Sequence, residues 1–339
     1  MRLSVLRPLR AFLAPPAFLL TLPLLALTLR AAPASAQVLS PEEVIFLTEE
    51  WTGERFPDGR PRVSDEVLER MKYVSLEEAW AAIRDQAAGG YTWKFEGNWD
   101  VMHPDQVMVG RALTVAYMPA SPQLQQRMAA RGRAEGRPQS MDQWPVAMLQ
   151  QGDVYVADGF GKVIDGPVVG DNFARAIHTN SGNGIVVYGS ARDFSGQATI
   201  EGYNAWVKEW HPSFVAQMTL MSVNGPTRIG EAVVLPGDVV LAMSRGVMFI
   251  PPHLTERVLL YSEVTRTTDF FRHDRIAAGV FTLQESYPNL TQAQIQMMYD
   301  WLPTVRTRLN EELGVALSTV DRMIETRSTS WQQWLTPTP

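Results

Sequence analysis

A chain of 339 residues with a formal net charge of −6 and no cysteine is long enough to bury a sizeable core without disulfides. The missing cysteine excludes disulfides, zinc–thiolate centres and thiol nucleophiles. Five histidines, none in a close pair such as H-E-x-x-H, argue against a His-rich transition-metal site and leave oxygen as the main ligand for any metal.

Residues 1–36 read as a secretory signal. Arg2, Arg7 and Arg10 make a basic start, Ala11 to Leu29 is mostly apolar with no acid, and Ala34-Ser35-Ala36 supplies a small-x-small cleavage site. An uncleaved anchor is the alternative; Pro15, Pro16 and Pro23 interrupt the apolar segment and argue against it. The expectation is an exported protein, periplasmic or secreted, with no membrane attachment after cleavage. The segment holds four arginines and no acid, so 30 less four leaves 26 basic side chains against 36 acidic. That balance argues against nucleic acid or anionic lipid as a partner.

Ser40-Pro41-Glu42-Glu43 predicts a helix start with a capping box, and Ser75-Leu76-Glu77-Glu78 predicts another. Leu76, Ala79, Trp80 and Ile83 give the second helix one apolar face, and Gly89-Gly90 ends it. Between them, "GERFPDGRPRVSD" is too rich in Pro, Gly and charge for core, and reads as a surface loop or wrapping arm. From Val107 short strand-like runs follow: "VMVGRALTVAYM", "DVYVAD", "GIVVYG", "EAVVLPGDVVLAM" and "GVMFIPP". Helical patterns such as "MDQWPVAML" and "NFARAIHTN" separate several of them, which predicts a mixed α/β domain. Pro236-Gly237-Asp238 suggests a turn joining a hairpin-like pair. From His253 onward two long amphipathic stretches predict helices, the second interrupted at Pro303. The domain reading is a signal at 1–36, a helical arm at 37–95, an α/β core at 96–275 and a helical extension at 276–339.

The unit "GDNFARAIHTNSGNGIVVYGSARD", residues 170–193, carries the chemistry. Asp171 or Asn172 caps a helix through Ile177, Gly182 stops it, and a strand from Gly184 to Tyr188 delivers Ser190, Arg192 and Asp193 at one sheet edge. Helix N-termini and the carboxyl ends of strands converge on one crevice in open α/β sheets. A carboxylate there can hold a hard cation, an arginine fork can clamp a carboxylate, and free N–H groups can receive an anion. The set suits a 2-oxo acid whose enolate must be stabilised as a C–C bond breaks. An N-cap aspartate and an Arg-Asp pair are also common in ordinary structure. Lys162, one of four lysines, sits in "DGFGKVIDG" on a glycine-flanked loop and is a candidate for a substrate anion; the run lacks the spacing and Ser/Thr of a P-loop. His178 reads as packed or on the surface, and the aromatics of "YNAWVKEWHPSF" around His211 as core or subunit contacts. Asp153 and Asp238 follow glycines and read as turn-formers.

Asp171 and Arg192-Asp193 are spaced Asp-x20-Arg-Asp. That spacing resembles the signature of the metal-dependent 4-hydroxy-4-methyl-2-oxoglutarate aldolases, relatives of the RraA ribonuclease regulators. "VGRALTV" (109–115), "GDVYVADGFG" (152–161), "GDN" (170–172) and "EAVVLPGDVVLAMSRGVMFIPP" (231–252) match further motifs in order, so the resemblance covers roughly residues 60 to 270. It implies an RraA-like swivelling β/β/α domain, with helical N- and C-terminal extensions here, assembled as a homotrimer or a hexamer of two trimers with sites at subunit interfaces. It implies that Asp193 coordinates Mg²⁺ or Mn²⁺ and that Asp171 holds metal-bound water. Arg192 binds the pyruvyl carboxylate and stabilises the enolate, and Val169, Gly170, Asp171 and Asn172 lend backbone N–H groups. Glu263 is the match for a glutamate that a neighbouring subunit supplies. Two departures stand out: Met243 and Arg245 occupy positions where many members carry acids, and Tyr188 replaces an aspartate. The expectation is therefore an exported metal-dependent lyase acting on a small 2-oxo acid. The alternative is a non-catalytic RraA-like scaffold. RraA regulators bind RNase E, a poor fit for an exported protein, and the older methyltransferase label lacks a glycine-rich nucleotide loop.

Overall fold

The computed structural model describes residues 38–335; the expected signal at 1–36 lies outside them. The chain opens with three short helices, α1 (Pro41–Leu47), α2 (Asp65–Met71) and α3 (Leu76–Arg84). Both expected capping boxes form: Ser40 and Ser75 each accept a hydrogen bond from the backbone three residues on, and Glu43 and Glu78 reach back. Two-residue strands β1 (Phe95–Glu96) and β2 (Asp100–Val101) precede the long β3 (Met108–Pro119). Then come α4 (Pro122–Ala134), α5 (Gln143–Met148), β4 (Asp153–Asp158), α6 (Asp171–Ser181), β5 (Ile185–Ala191), α7 (Phe194–Gln197) and β6 (Ala205–Trp210). Strands β7 (Met218–Val223), β8 (Thr227–Ile229), β9 (Ala232–Val234), β10 (Val239–Met243) and β11 (Gly246–Ile250) lead to α8 (Thr255–Ala277). Helices α9 (Leu283–Ser286), α10 (Gln292–Leu313) and α11 (Leu317–Thr326) close the chain.

The main sheet runs β1-β11-β10-β3-β4-β5-β6-β2, with β7 also paired to β3. Its centre, β3-β4-β5-β6, is parallel, and the flanking pairs are antiparallel. Central strands bury both faces, as parallel strands covered on both sides must. Tyr155, Ala157, Ile185 and Val187 join Trp144, Ala174 and Ile177 of α5 and α6 on one face. Val154, Val156 and Val186 meet Trp206 and the β8–β9 ribbon on the other. A third cluster packs α2, α3 and α8 on Val109, Leu241, Met248 and Ile250, and a fourth joins α8 to α10 and α11. Thus α8 crosses the expected junction at 275–276 and belongs to both sides of it.

Three expectations are corrected. Pro236-Gly237-Asp238 joins no hairpin: β9 pairs with β8, β10 pairs with β11 and β3, and the turn carries the chain from the ribbon into the main sheet. Pro303 does not interrupt its helix, because α10 runs through it with Met298, Leu302 and Leu309 buried on one face. Asp153 and Asp238 do more than form turns. Each receives the N–H three residues earlier, from Gln150 (2.8 Å) and Leu235 (3.0 Å), and each lies buried against a cation of the N-terminal arm. Arg60 meets Asp153 at 2.8 Å and Lys94 meets Asp238 at 2.7 Å. Arg60 also holds Asp58 at 2.8 Å, and Phe56 lies under the guanidinium groups of Arg60, Arg62 and Arg111. The polar run between α1 and α2 is therefore a wrapping arm whose central arginine is fully buried.

Candidate active site

Parallel strands β4, β5 and β6 all end at one edge of the sheet, and the segments leaving them meet there. From β4 a loop crosses the end of β5: the Gly159 and Gly161 N–H groups donate to Tyr188 O (2.9 and 3.0 Å), and Ser190 Oγ donates to Val163 O (2.8 Å). This places Lys162, half-buried, on the loop beside the strand that delivers Arg192. The loop returns through Val169 and Gly170 to α6. Gly170, not Asp171, is the N-cap, and Gly182 ends the helix in the left-handed conformation. Asp171 is the first helical residue; its Oδ1 accepts from Asn172 N–H at 2.8 Å, so its carboxylate already takes one of the free donors of the first turn.

Strand β5 continues into Arg192, whose N–H donates to Val169 O at 3.0 Å. Asp193 adopts φ 61°, ψ 42°, a left-handed conformation that aspartate tolerates better than most residues. The kink brings its carboxylate back over the start of α6: Asp171 N–H approaches Asp193 Oδ2 at 3.4 Å. The expected convergence of Asp171, Arg192 and Asp193 is thus present, with the free end of α6 beside them. Arg192 Nη1 lies 2.9 Å from Asp193 Oδ2 and 3.2 Å from Oδ1. Their side chains are 27% and 34% exposed, so the pair is reachable from solvent.

Two glycines let the three side chains close in on the backbone. A Cβ on Gly170 would come within 2.7 Å of Asp193 Oδ2 and 3.0 Å of Arg192 Cζ, and one on Gly196 within 3.1 Å of Asp171 Oδ2. Buried Gln197, not among the expected site residues, fastens the arrangement. Its Nε2 donates to Arg192 O (2.7 Å) and Val169 O (3.3 Å), and its Oε1 accepts from Tyr203 (2.8 Å). The sequence gives no local signal for this, since a lone glutamine in a four-residue helix has no motif. Phe214 is expected as a core or subunit-contact aromatic. It is 69% exposed, with its ring centroid 4.6 Å from Arg192 Cζ.

Other candidates lie elsewhere. Glu263 is not available as a metal ligand: it is fully buried on α8, ion-paired with Arg70 at 2.9 Å and hydrogen-bonded by Thr319. Freeing its carboxylate would strand Arg70 and open the helix interface. Met243 and Arg245 sit at the β10–β11 turn, at the edge where β3 begins. The site is at the edge where its parallel neighbours end, so the altered segment does not touch it. His178 packs edge-on to Tyr203 with Nδ1 3.2 Å from Asn183 O, and His211 Nδ1 lies 2.9 Å from Ser213 Oγ. Asp158, at the end of β4, has its carboxyl pushed above the usual range by burial, while the Phe160 N–H (2.7 Å) and the Arg228 charge pull the other way. Among the described residues no three His, Cys, Asp or Glu side chains cluster as a metal cage.

The profile of the family described as RraA-like, Aldolase/RraA, matches residues 80–249, half of the chain. Among solved structures, an uncharacterized protein from Pseudomonas syringae pv. tomato superposes with a TM-score of 0.52 at 20% identity, covering 70% of this chain and 98% of that one. Streptomyces coelicolor RraAS2, described as an unusual member of the RNase ES inhibitor RraA protein family, gives 0.51 at 20% identity, covering 63% and 100%. A protein described among novel cellulases from gut-associated microbes gives 0.50 at 16% identity, covering 68% and 96%. At these identities the likeness concerns the fold, and the differing descriptions show that the fold alone does not fix an activity.

Proposed function

The chain belongs to the RraA-like family, and on that premise we propose that it is an exported, divalent-metal-dependent lyase that cleaves or decarboxylates a small 2-oxo acid through a pyruvate enolate. The observation that carries this reading is the meeting of Asp171, Arg192 and Asp193 at the start of α6, where two glycines allow their close approach. Export rests on residues 1–36, and assembly as a homotrimer or hexamer rests on the family resemblance.

The residues fit a hard cation. The donors are carboxylate oxygens, the pair is solvent-reachable, and Mg²⁺ or Mn²⁺ with few protein ligands keeps its remaining positions for water. Asp193 would hold it directly and Asp171 through water; when bound, it supplies Lewis-acid stabilisation of the C2 oxygen. The chain's own residues supply the rest. The Arg192 fork receives the substrate carboxylate, exchanging one arm of its bond to Asp193. The backbone at Val169 to Asn172 adds the positive end of α6 to that anion, although the Asn172 N–H is held by Asp171 and the Asp171 N–H faces Asp193. Asp171 takes the proton of the C4 hydroxyl as the C3–C4 bond breaks. The bonding pair moves into the C2 carbonyl as an enolate facing Arg192, and a proton returned to C3 yields pyruvate and a carbonyl product.

Purified protein with Mn²⁺ should release pyruvate from 4-hydroxy-2-oxo acids or decarboxylate oxaloacetate. Asp193→Ala should lower that rate by about 100-fold or more, and an unchanged rate rejects the assignment. One observation favours the second reading, a non-catalytic anion-binding scaffold: Arg192 and Asp193 already neutralise each other. Calorimetry showing no Mn²⁺ binding, with no turnover on a panel of 2-oxo acids, would select it.

A further inference from the structure

The surroundings of Arg192 are aromatic. Strand β6 ends on Trp210 beside the end of β5, with Ala191 and Trp210 in register. The segment beyond Trp210 is tied to the β4 loop at two points. Asp165 N–H donates to Ser213 Oγ at 2.7 Å, and Ala216 N–H donates to Asp165 O at 2.9 Å. Phe214 projects from between these ties, so its position is set by the backbone rather than by burial. Arg192 Cζ stands 4.6 Å from its ring centroid. Phe194, 44% exposed, follows Asp193 directly and meets Trp210 edge-to-face at 5.0 Å. Ile164, next to the tied Asp165, is 65% exposed.

Resting on the lyase reading, we infer that the substrate's substituent beyond the 2-oxo acid is aromatic or bulky and apolar, and that Phe214 is the residue that selects it. The carboxylate end is committed to Arg192, and Phe214 lies against that same guanidinium. A substrate held there has the Phe214 ring beside its next carbons. Aromatic faces and edges reward a second ring, or a packed aliphatic group, over a hydrated charge. A second carboxylate would be brought close to Asp171 and Asp193, and like charges at short range disfavour it. Arg175, one helical turn after Asp171, directs its Nη2 to Thr199 at 3.1 Å. Lys162 is the cation that a second carboxylate would have to recruit.

The test measures binding as well as turnover. In the presence of Mn²⁺, phenylpyruvate and 2-oxoglutarate are titrated by calorimetry into the full protein, into Phe214→Ala and into Phe214→Tyr, with folding checked by circular dichroism. The wild type should bind phenylpyruvate about tenfold more tightly than 2-oxoglutarate. Phe214→Ala should erase that preference by weakening phenylpyruvate alone, and Phe214→Tyr should keep it. Equal or tighter binding of 2-oxoglutarate overturns the inference and points to Lys162. Equal losses for both probes in Phe214→Ala also overturn it, because Phe214 would then only orient Arg192. Failure of both probes to bind overturns it too. The lyase reading is judged separately, by pyruvate release and its loss in Asp193→Ala. Turnover without an aryl preference sinks this inference alone, whereas an aryl preference without turnover leaves an aryl 2-oxo acid binding site.

Discussion

Two residues give testable predictions, Gly170 for the site and His253 for the stability of the fold. Gly170 has φ −109°, ψ −177°, a conformation open to any residue, so its requirement is space alone. Gly170→Ala would press a methyl group on Asp193 and Arg192. We expect about a tenfold loss of Mn²⁺ affinity or turnover, with a melting temperature close to that of the wild type. A matching loss in stability would instead mark Gly170 as a packing residue. His253 makes the second prediction. Burial, opposed by Glu50 and Asp238 and assisted by Lys94, holds its pKa below the ordinary 6.5, so the folded state favours the neutral ring. The stability this gives is complete above about pH 6.5 and is lost as pH falls through that value toward the folded pKa. Thermal melts should therefore decline between pH 7.5 and 5.5, and His253→Gln should flatten that decline.

The elements show which sequence signals survive folding and which do not. Central strands were legible because burial on both faces writes an apolar run, as in "DVYVAD" and "GIVVYG". Capped helix starts were legible because capping is a local bond. The Asp171/Arg192/Asp193 convergence was legible as a helix start and a strand end, and the ion pair of Arg192 with Asp193 as the ordinary alternative; the left-handed kink at Asp193 was not, since spacing does not fix a backbone angle. The turn at Pro236 misled because its local chemistry is the same whether the next strand pairs backward or joins another sheet. Pro303 misled for the opposite reason. Its local cost of about 3 kcal/mol is outweighed by the face that α10 buries against α8 and α11. The N-terminal arm was least legible, because a Pro- and charge-rich run gives no hint of a buried arginine. Breaking that clasp with Arg60→Met leaves buried Asp153 to the more distant Arg111, 3.8 Å away, and should cost about 3 kcal/mol in urea denaturation. The double variant Arg60→Met/Asp153→Asn should lose less than the two single changes combined.

At the scale of the molecule, the central sheet carries the candidate site while α8 is a shared spine. Its buried residues face the arm helices along one stretch and α10 and α11 along another. Ending the chain after Ala277 would expose Leu260, Val264 and Phe271, which α10 and α11 cover. We expect that truncation to be insoluble or aggregated on size-exclusion chromatography, whereas a soluble monodisperse product would show the C-terminal helices to be an independent addition.

The two Gly-Asp turns also impose a chronology. Arg60 waits for a partner 93 residues later, and Lys94 for one 144 residues later. Until the turns before β4 and β10 exist, both cations are better hydrated than docked, and closing loops of that length is slow. The arm that precedes the sheet in sequence therefore locks only once both turns have formed.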